Sequence, residues 1–167
     1  YIGNSTQIPA VRNYSYNVNQ RWNLVSLPLG TDDLSTTGVF PTSVSYMYSY
    51  DQGNGYEQKD TLEYGRGYWL KFPSAETIQC QGIEISALRI PVNIGWNLIG
   101  SISVPVEIST ITSDPGGIVT SNFFEYNGGY QQANVIEPGK GYWMKANQSG
   151  EIILDRKSTR LNSSHRT

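Results

Sequence analysis

An all-β fold made of two copies of one unit is predicted by three observations on the sequence. Apolar and polar residues alternate at a period of two, and strand-like segments recur about every 8 to 12 residues between turn-forming residues. No long stretch has the spacing of an amphipathic helix. Finally, RWNLVS and GRGYWLK recur as GWNLIG and GKGYWMK at a spacing of 74 residues. We therefore expect two homologous β-units packed about a pseudo-two-fold axis as a sandwich or a barrel.

The duplication divides the chain of 167 residues. The first β-repeat is predicted at 14–82 and the second at 88–155. Residues 1–13 are interpreted as a linker or the end of a preceding domain, because the chain begins with Tyr1 rather than Met and is expected to belong to a longer protein. Residues 156–167, RKSTRLNSSHRT, resemble a translated sequencing-adapter stretch from an assembled read, and we expect a non-native disordered tail there.

Each unit is predicted to contain the same strands in the same order. RWNLVSLPL and its second copy are apolar on both faces, which favours a central strand. SVSYMYSY then turns through DQGNGY into EQKDTL, a hairpin whose tip suits positive φ, and the second copy shortens this tip to YNGGY. A Gly-rich turn leads into YWLKF or YWMKA, and TIQCQGIEI or EIILD closes the unit. STTGVF and ISTITSD could each form a single helical turn.

Charge and composition exclude several classes of function. Without the four basic residues of 156–167, 8 Lys and Arg face 14 Asp and Glu, a net charge of about −6 that argues against a nucleic-acid partner. A single cysteine, Cys80, and a single histidine, His165, leave no His/Cys zinc cluster and no Ser-His or Cys-His pair. We expect Cys80 to be a small core residue, and we expect no metal and no cofactor. No apolar run is long enough to span a membrane.

The tryptophans and two glycines are interpreted as a structural signature. Neighbouring residues of a strand face opposite sides, so one member of each Tyr-Trp pair should face the core and the other should be more exposed. We expect the tryptophans in the core, where Trp96→Ala would cost roughly 3 to 5 kcal/mol. Glycine before each pair leaves room for a close approach. The signature residues are Trp22, Trp69, Trp96, Trp143, Gly67 and Gly141.

The 12 tyrosines are too many to bury, and they supply the candidate binding residues. Tyr56 and Tyr130 stand at equivalent hairpin tips beside Asn, Gln and Gly, with Tyr50 and Tyr126 on the same hairpins. Flat rings next to amides are typical of adaptable recognition surfaces. They would suit sugar rings, whose apolar faces stack on aromatic rings while their hydroxyls meet amides.

Catalytic and ion-binding alternatives find less support. The acids Asp32, Asp33, Asp51, Glu57, Asp60 and Glu63 could include a glycosidase pair. They fall in turns or hairpin arms, however, and only Glu63 recurs, as Glu137. DQGNGYEQKD weakly resembles a calcium loop but lacks the required spacing. The Gly-Arg-Gly and Gly-Lys-Gly turns precede strands, whereas phosphate loops precede helices. We therefore expect no enzyme activity.

The two-part motif is similar to that of a known family. GWNLIG or RWNLVSLP, then YNGGY or YDQGNGY, then EPGKGYWMK or EYGRGYWLK, resembles a duplicated WNL…GYW β-module near the C-termini of secreted and cell-surface bacterial proteins, often before a type IX secretion sorting domain. The resemblance covers residues 14–155, with Arg21 where the second copy has Gly95. No sorting domain follows Asp155, so the route of export stays open.

This resemblance has implications for location, role and partners. It implies a non-catalytic accessory or structural module, extracellular or at the cell surface. Its partners would be the upstream and downstream domains of the same polypeptide. Polysaccharide binding through the tyrosines is the alternative role.

Overall fold

The structure, a computed structural model, describes residues 10–156 of the chain. Residues 1–9 of the predicted linker and 157–167 of the predicted tail lie outside the described residues. The described chain is mostly β-structure, so the predicted all-β class is confirmed. Its helical content is one α-turn, α1 at Thr36–Val39, and one 3-10 turn at Ile108–Thr110, within the two segments predicted to form single turns.

The two units share their longer strands and differ in the short ones. The first unit comprises β1 Val11–Val18, β2 Arg21–Val25, β3 Leu29–Gly30, β4 Met47–Asp51, β5 Gly55–Lys59, β6 Tyr68–Phe72 and β7 Glu76–Glu84. The second comprises β8 Ala87–Val92, β9 Gly95–Ile99, β10 Val106–Glu107, β11 Thr112–Asp114, β12 Phe123–Tyr126, β13 Tyr130–Ala133, β14 Val135–Ile136, β15 Tyr142–Ala146 and β16 Gly150–Asp155. Arg156, the first residue of the predicted tail, donates its backbone N–H to the Ser86 carbonyl, 2.9 Å away.

Each unit packs a four-stranded antiparallel sheet against a three-stranded one. The four-stranded sheets have the orders β2-β6-β4-β5 and β9-β15-β12-β13. The three-stranded sheets are β1-β7-β3 and β11-β16-β8, and β10 pairs with β14. The Trp-Asn-Leu strands β2 and β9 lie at sheet edges, so the prediction that they are central strands is wrong. They are apolar on both faces because the other unit covers one of those faces.

A separate apolar core fills each unit. In the first unit it joins both sheets through side chains such as Val18, Val25, Phe40, Tyr68 and Ile78. In the second unit the corresponding cluster includes Ile90, Ile99, Phe123, Tyr142 and Ile152. A third, smaller cluster of Leu24, Leu98 and Trp143 lies between the units.

The units exchange equivalent backbone hydrogen bonds, as a pseudo-two-fold relation requires. Each edge strand of one unit pairs with the Gly-rich turn of the other, which covers edges that would otherwise expose unpaired groups. The four bonds run from Ser26 N to Gly139 O at 2.9 Å, from Gly100 N to Gly65 O at 2.8 Å, from Gly141 N to Leu24 O at 3.2 Å and from Gly67 N to Leu98 O at 3.2 Å.

Gly67 and Gly141 lie at a close approach between the units. A Cβ on Gly67 would stand 2.6 Å from the Ile99 carbonyl oxygen, and one on Gly141 would stand 3.3 Å from the Gly67 Cα. No larger residue fits at Gly67 without moving a backbone. The signature glycines therefore admit the neighbouring unit rather than a ligand.

The asparagine of each Trp-Asn-Leu strand is structural as well. Asn97 accepts the Asn93 N–H at 2.9 Å and donates to the Asn93 and Gly95 carbonyls, and Asn23 makes the same set of bonds. These bonds close the turn before the strand. At this turn Gly95 has φ 99°, and Arg21 takes the same left-handed region with φ 80°.

Candidate binding face

The period of the strands divides each Tyr-Trp pair between two environments. Tyr68 points into the first core and is 1% exposed, whereas Trp69 lies on the opposite face and is half-buried. Tyr142 is equally buried, and Trp143 is 8% exposed beneath the face described below. The prediction that Trp143 is a buried residue is confirmed. Tyr68 and Tyr142, the members of the two pairs that were expected to be more exposed than the tryptophans, are instead the core members.

Buried hydroxyls explain why tyrosine occupies these core positions. The Tyr68 hydroxyl accepts the Glu63 backbone N–H at 2.8 Å, and the Tyr142 hydroxyl accepts that of Glu137 at 2.7 Å. Each ring thus holds the Gly-rich turn that precedes it. Burial raises the pKa of Tyr68 to about 12 and also raises the pKa of Tyr142.

The prediction that the tryptophans lie in the core is wrong for Trp22 and Trp96. They are 38% and 37% exposed at the edges of the four-stranded sheets. The Trp22 ring lies 6.4 Å from that of Trp69, and the Trp96 ring lies 6.2 Å from that of Phe124. Both tryptophans belong to the outer face of their sheet, so large rings in an alternating strand do not by themselves mark the core.

The four predicted tyrosines come together on this outer face. Tyr50 pairs with Tyr56 across the first hairpin, with ring centroids 5.2 Å apart, and Tyr126 pairs with Tyr130 across the second, with centroids 5.3 Å apart. The second hairpin tip is two residues shorter. Because the side-chain period is two, this change leaves both tyrosines on the same face.

Two adjoining grooves, lined by aromatic residues, make up the face. The Trp96 groove, of about 430 Å³, is lined by Tyr50, Tyr56, Trp96, Phe124, Tyr130 and Trp143. The Trp22 groove, of about 590 Å³, is lined by Trp22, Tyr48, Tyr56, Trp69, Tyr126 and Tyr130. The two grooves share Tyr56 and Tyr130, and their remaining residues correspond between the units. We call the two grooves together the aromatic face.

Contacts across the units make the aromatic face continuous. Tyr50 of the first unit lies 5.0 Å from Trp143 of the second, and Trp69 lies 4.9 Å from Tyr126 in the reciprocal contact. Trp143 is buried together with Leu24 and Leu98. The rings are therefore held by the packing between the units.

The shared tyrosines are the most exposed part of the face. Tyr56 is 56% exposed and Tyr130 is 58% exposed. Partial burial raises the pKa of Tyr130, and the nearby Tyr56 raises it further. The buried indole N–H of Trp143 has no hydrogen-bond partner among the described residues.

Charged and amide side chains lie around the face. Among the described residues, no charged side chain lines either groove. Lys145 lies over the Trp96 ring at 6.0 Å. Tyr50 also borders a polar cleft with Gln52, Glu57, Lys59 and Arg66, and Tyr126 borders an equivalent cleft with Asn19, Glu125, Asn127 and Lys140. We call these the Arg66 cleft and the Lys140 cleft.

Two of the acids considered for catalysis, Asp33 and Asp51, serve local structure. Asp33 accepts bonds from the Ser35 hydroxyl and backbone N–H, which lower its pKa. Asp51 accepts from the Asn54 side chain at 2.9 Å within the hairpin turn. Between residues 10 and 156, no group of three or more His, Cys, Asp and Glu side chains could hold a metal ion. Cys80 is only partly buried, and burial raises its pKa, which disfavours a reactive thiolate.

The tyrosines were found from the sequence, but the rest of the face was missed. Trp22, Tyr48, Trp69, Trp96, Phe124 and Trp143 also line it. The signal was the alternation along the strands. Tyr48 and Phe124 share their strand faces with Tyr50 and Tyr126, and they pair with Trp69 and Trp143. Leu24 and Leu98 pair with the same two tryptophans and share their strand faces with Trp22 and Trp96.

The fold and its site define a duplicated all-β module with an exposed aromatic face. A comparison with models of known protein families, with curated proteins and with solved structures finds no match to this chain. Over the part of the chain that is described, no helix is long and apolar enough to cross a membrane.

Proposed function

We propose that this chain is a non-catalytic accessory module of an exported protein and that its aromatic face binds neutral polysaccharide. The observation that carries the proposal is the pair of adjoining grooves, lined within residues 10–156 only by Tyr, Trp and Phe, with Tyr56 and Tyr130 exposed between them. Exposed apolar surface of this kind commonly marks a binding site.

The chemistry of the grooves supports sugar rings as the ligand. A pyranose ring has apolar C–H faces that stack on aromatic rings and hydroxyls that bond to phenol and amide groups. Tyr and Trp offer large, rigid surfaces that lose little conformational entropy on binding. The groove volumes of about 430 and 590 Å³ fall within the range of small-ligand sites, roughly 300 to 1,000 Å³.

Charge supports a neutral glycan over a nucleic acid. Single-stranded nucleic acids also stack on aromatic rings, but their phosphates require a positively charged groove. Among the residues that the structure describes, no Lys or Arg lines the grooves, and residues 1–155 carry a net charge of about −6. The same absence of cations disfavours uronic-acid or sulfated polysaccharides.

The accessory role is supported by the duplicated motif rather than by the grooves. The WNL…GYW pattern resembles modules of secreted and cell-surface bacterial proteins that often precede a type IX sorting domain. We propose accordingly an extracellular or cell-surface location, with flanking domains of the same polypeptide as partners. Binding to polysaccharide would hold those domains near a glycan surface.

Retention on polysaccharides tests the proposal. The full chain is passed over a panel of immobilised neutral and acidic polysaccharides, next to the double variant Tyr56→Ala/Tyr130→Ala. Both side chains are largely exposed, so the variant should keep the wild-type circular dichroism spectrum. We expect retention of the wild type on at least one neutral polysaccharide and loss of retention for the variant.

A matched control is Tyr46→Ala. Tyr46 is 66% exposed and lies outside both grooves, so its removal should leave retention unchanged. If no polysaccharide retains the wild type, or if the double variant is retained equally well, the binding function is wrong. A purely structural role would then be favoured.

A further inference from the structure

The two aromatic grooves are not independent sites. Tyr56 and Tyr130 line both of them, and the other members exchange between units: Trp22 with Trp96, Trp69 with Trp143, Tyr48 with Phe124, and Tyr126 with Tyr50. The pseudo-two-fold relation of the units therefore passes through the binding face itself, between the two grooves.

We propose that one neutral β-1,4-linked glycan chain occupies both grooves at once, crosses between them over Tyr56 and Tyr130, and binds in either direction. This inference rests on the polysaccharide-binding function proposed above and specifies its ligand. It also specifies one long chain for each protein molecule.

A single continuous chain follows from the shared tyrosines. A sugar in the Trp96 groove contacts Tyr56 and Tyr130, which also form the wall of the Trp22 groove. Two separate ligands would compete for these two rings. A single chain contacts each of the two rings once. When one half of the chain is bound in one groove, the other half is held close to the second groove, which raises its effective concentration at that groove.

The linkage follows from the symmetry of the face. The pseudo-two-fold relation exchanges the two grooves, so the two halves of one chain would run through equivalent side chains in opposite senses. A glycan has a direction, so both halves of one chain fit equivalent grooves only if the glycan presents similar surfaces in either sense. In a β-1,4-linked glucan, alternate residues are turned over and the chain is flat, which meets this condition. An α-1,4-linked glucan curves and does not.

Polar clefts are placed to receive the two ends of the chain. Tyr50 borders both the Trp96 groove and the Arg66 cleft, and Tyr126 borders both the Trp22 groove and the Lys140 cleft. Gln52 and Asn127 line these clefts. Sugar hydroxyls beyond the aromatic rings would therefore meet amides and charged groups instead of bare apolar surface.

Isothermal titration calorimetry with cello-oligosaccharides tests the inference. The probes are cellobiose, cellohexaose and, for linkage, maltohexaose, and the variants are Trp22→Ala and Trp96→Ala. We expect one cellohexaose per protein and an affinity about a hundred-fold higher than for cellobiose. Each variant loses one groove, so both should weaken cellohexaose binding by similar factors of about ten or more. Tyr46→Ala should bind like the wild type.

The contradicting results separate this inference from the function on which it rests. Two cellohexaose molecules per protein, an affinity independent of chain length, or a loss confined to one tryptophan variant would show that no single chain spans both grooves. Tighter binding of maltohexaose, or retention only on another neutral polysaccharide, would overturn the linkage. The polysaccharide-binding function would stand in each of these cases. Failure to bind any polysaccharide in the panel would overturn both.

Discussion

Tyrosine plays two roles in this molecule, and its surroundings decide between them. Tyr142 is fully buried because its hydroxyl accepts a backbone N–H, whereas Tyr130 is left at a hairpin tip where the neighbouring unit supplies Trp69 as a ring partner, 6.5 Å away. The sequence period predicts that Tyr142 and Trp143 face opposite sides. It does not say which ring faces the core, because the Glu137 N–H that favours tyrosine is brought there only by the folded turn.

Removing one buried hydroxyl tests the structural role of the pair. Tyr142→Phe keeps the ring but leaves the Glu137 N–H without its acceptor, so we expect the free energy of unfolding to fall by about 1 to 2 kcal/mol. Urea denaturation measures the change. Tyr130→Phe, which alters an exposed hydroxyl, is the control and should be neutral. Equal losses for Tyr142→Phe and Tyr130→Phe would contradict the structural role assigned to the Tyr142 hydroxyl.

The buried tyrosines also predict how stability depends on pH. Burial raises the pKa of Tyr68 to about 12, above the ordinary value of about 10, and raises that of Tyr142 as well. Below about pH 10 both tyrosines are protonated in the folded and in the unfolded state, so their contribution to stability is fully present. Between about pH 10 and 12 the unfolded chain releases them first, so the free energy of unfolding falls. Urea midpoints measured from pH 8 to 11.5 should decline above pH 10. A wild-type urea midpoint that stays level above pH 10 would contradict this explanation. So would a midpoint that falls by the same amount in the double variant Tyr68→Phe/Tyr142→Phe.

Leu98 and Trp96 lie on the same face of one strand but differ in burial. Leu98 is 2% exposed between the units and Trp96 is 37% exposed. We expect Leu98→Ala to cost about 3 kcal/mol by leaving a cavity, and Trp96→Ala only about 1 kcal/mol. Chemical denaturation of the two variants compares these losses directly. A larger loss for Trp96→Ala than for Leu98→Ala would contradict this difference in burial.

At the scale of elements, strand type and order were predictable, whereas strand position was not. Alternation, turn residues and the repeat predicted the hairpins and the closing strand of each unit. The Trp-Asn-Leu strand looked central because Leu24 and Val25 are apolar on opposite faces. Val25 is indeed in the core of its own unit, but Leu24 is covered by the other unit. Burial on both faces cannot distinguish a central strand from an edge strand at an interface.

The contact between the Gly-rich turn and the edge strand depends on glycine. Gly67→Ala would bring a Cβ within 2.6 Å of the Ile99 carbonyl oxygen, so we expect a loss of roughly 1 to 3 kcal/mol in unfolding free energy. Gly53→Ala is the matched control, because nothing lies within 4 Å of a Cβ there. Thermal unfolding of both variants measures the difference. A neutral Gly67→Ala would show that the units are not packed this closely.

At the scale of the whole molecule, the duplication accounts for both the fold and the candidate site. The spacing of 74 residues predicted two units, and the structure joins them by reciprocal hydrogen bonds. The hairpin tyrosines were predictable because exposed rings at tips need no partner unit. The aromatic face as a whole was not, because Tyr50 meets Trp143 only across the interface.

Intrinsic tryptophan fluorescence tests most directly whether the aromatic face binds glycan. All 4 tryptophans of the chain line the two grooves, so any ligand on the face must change their surroundings. Titration of the full chain with the neutral polysaccharide that retains it best should give a saturable change in emission. The same titration of Tyr56→Ala/Tyr130→Ala should give none over that concentration range. An unchanged wild-type spectrum, or identical curves for the two proteins, would contradict binding at this face.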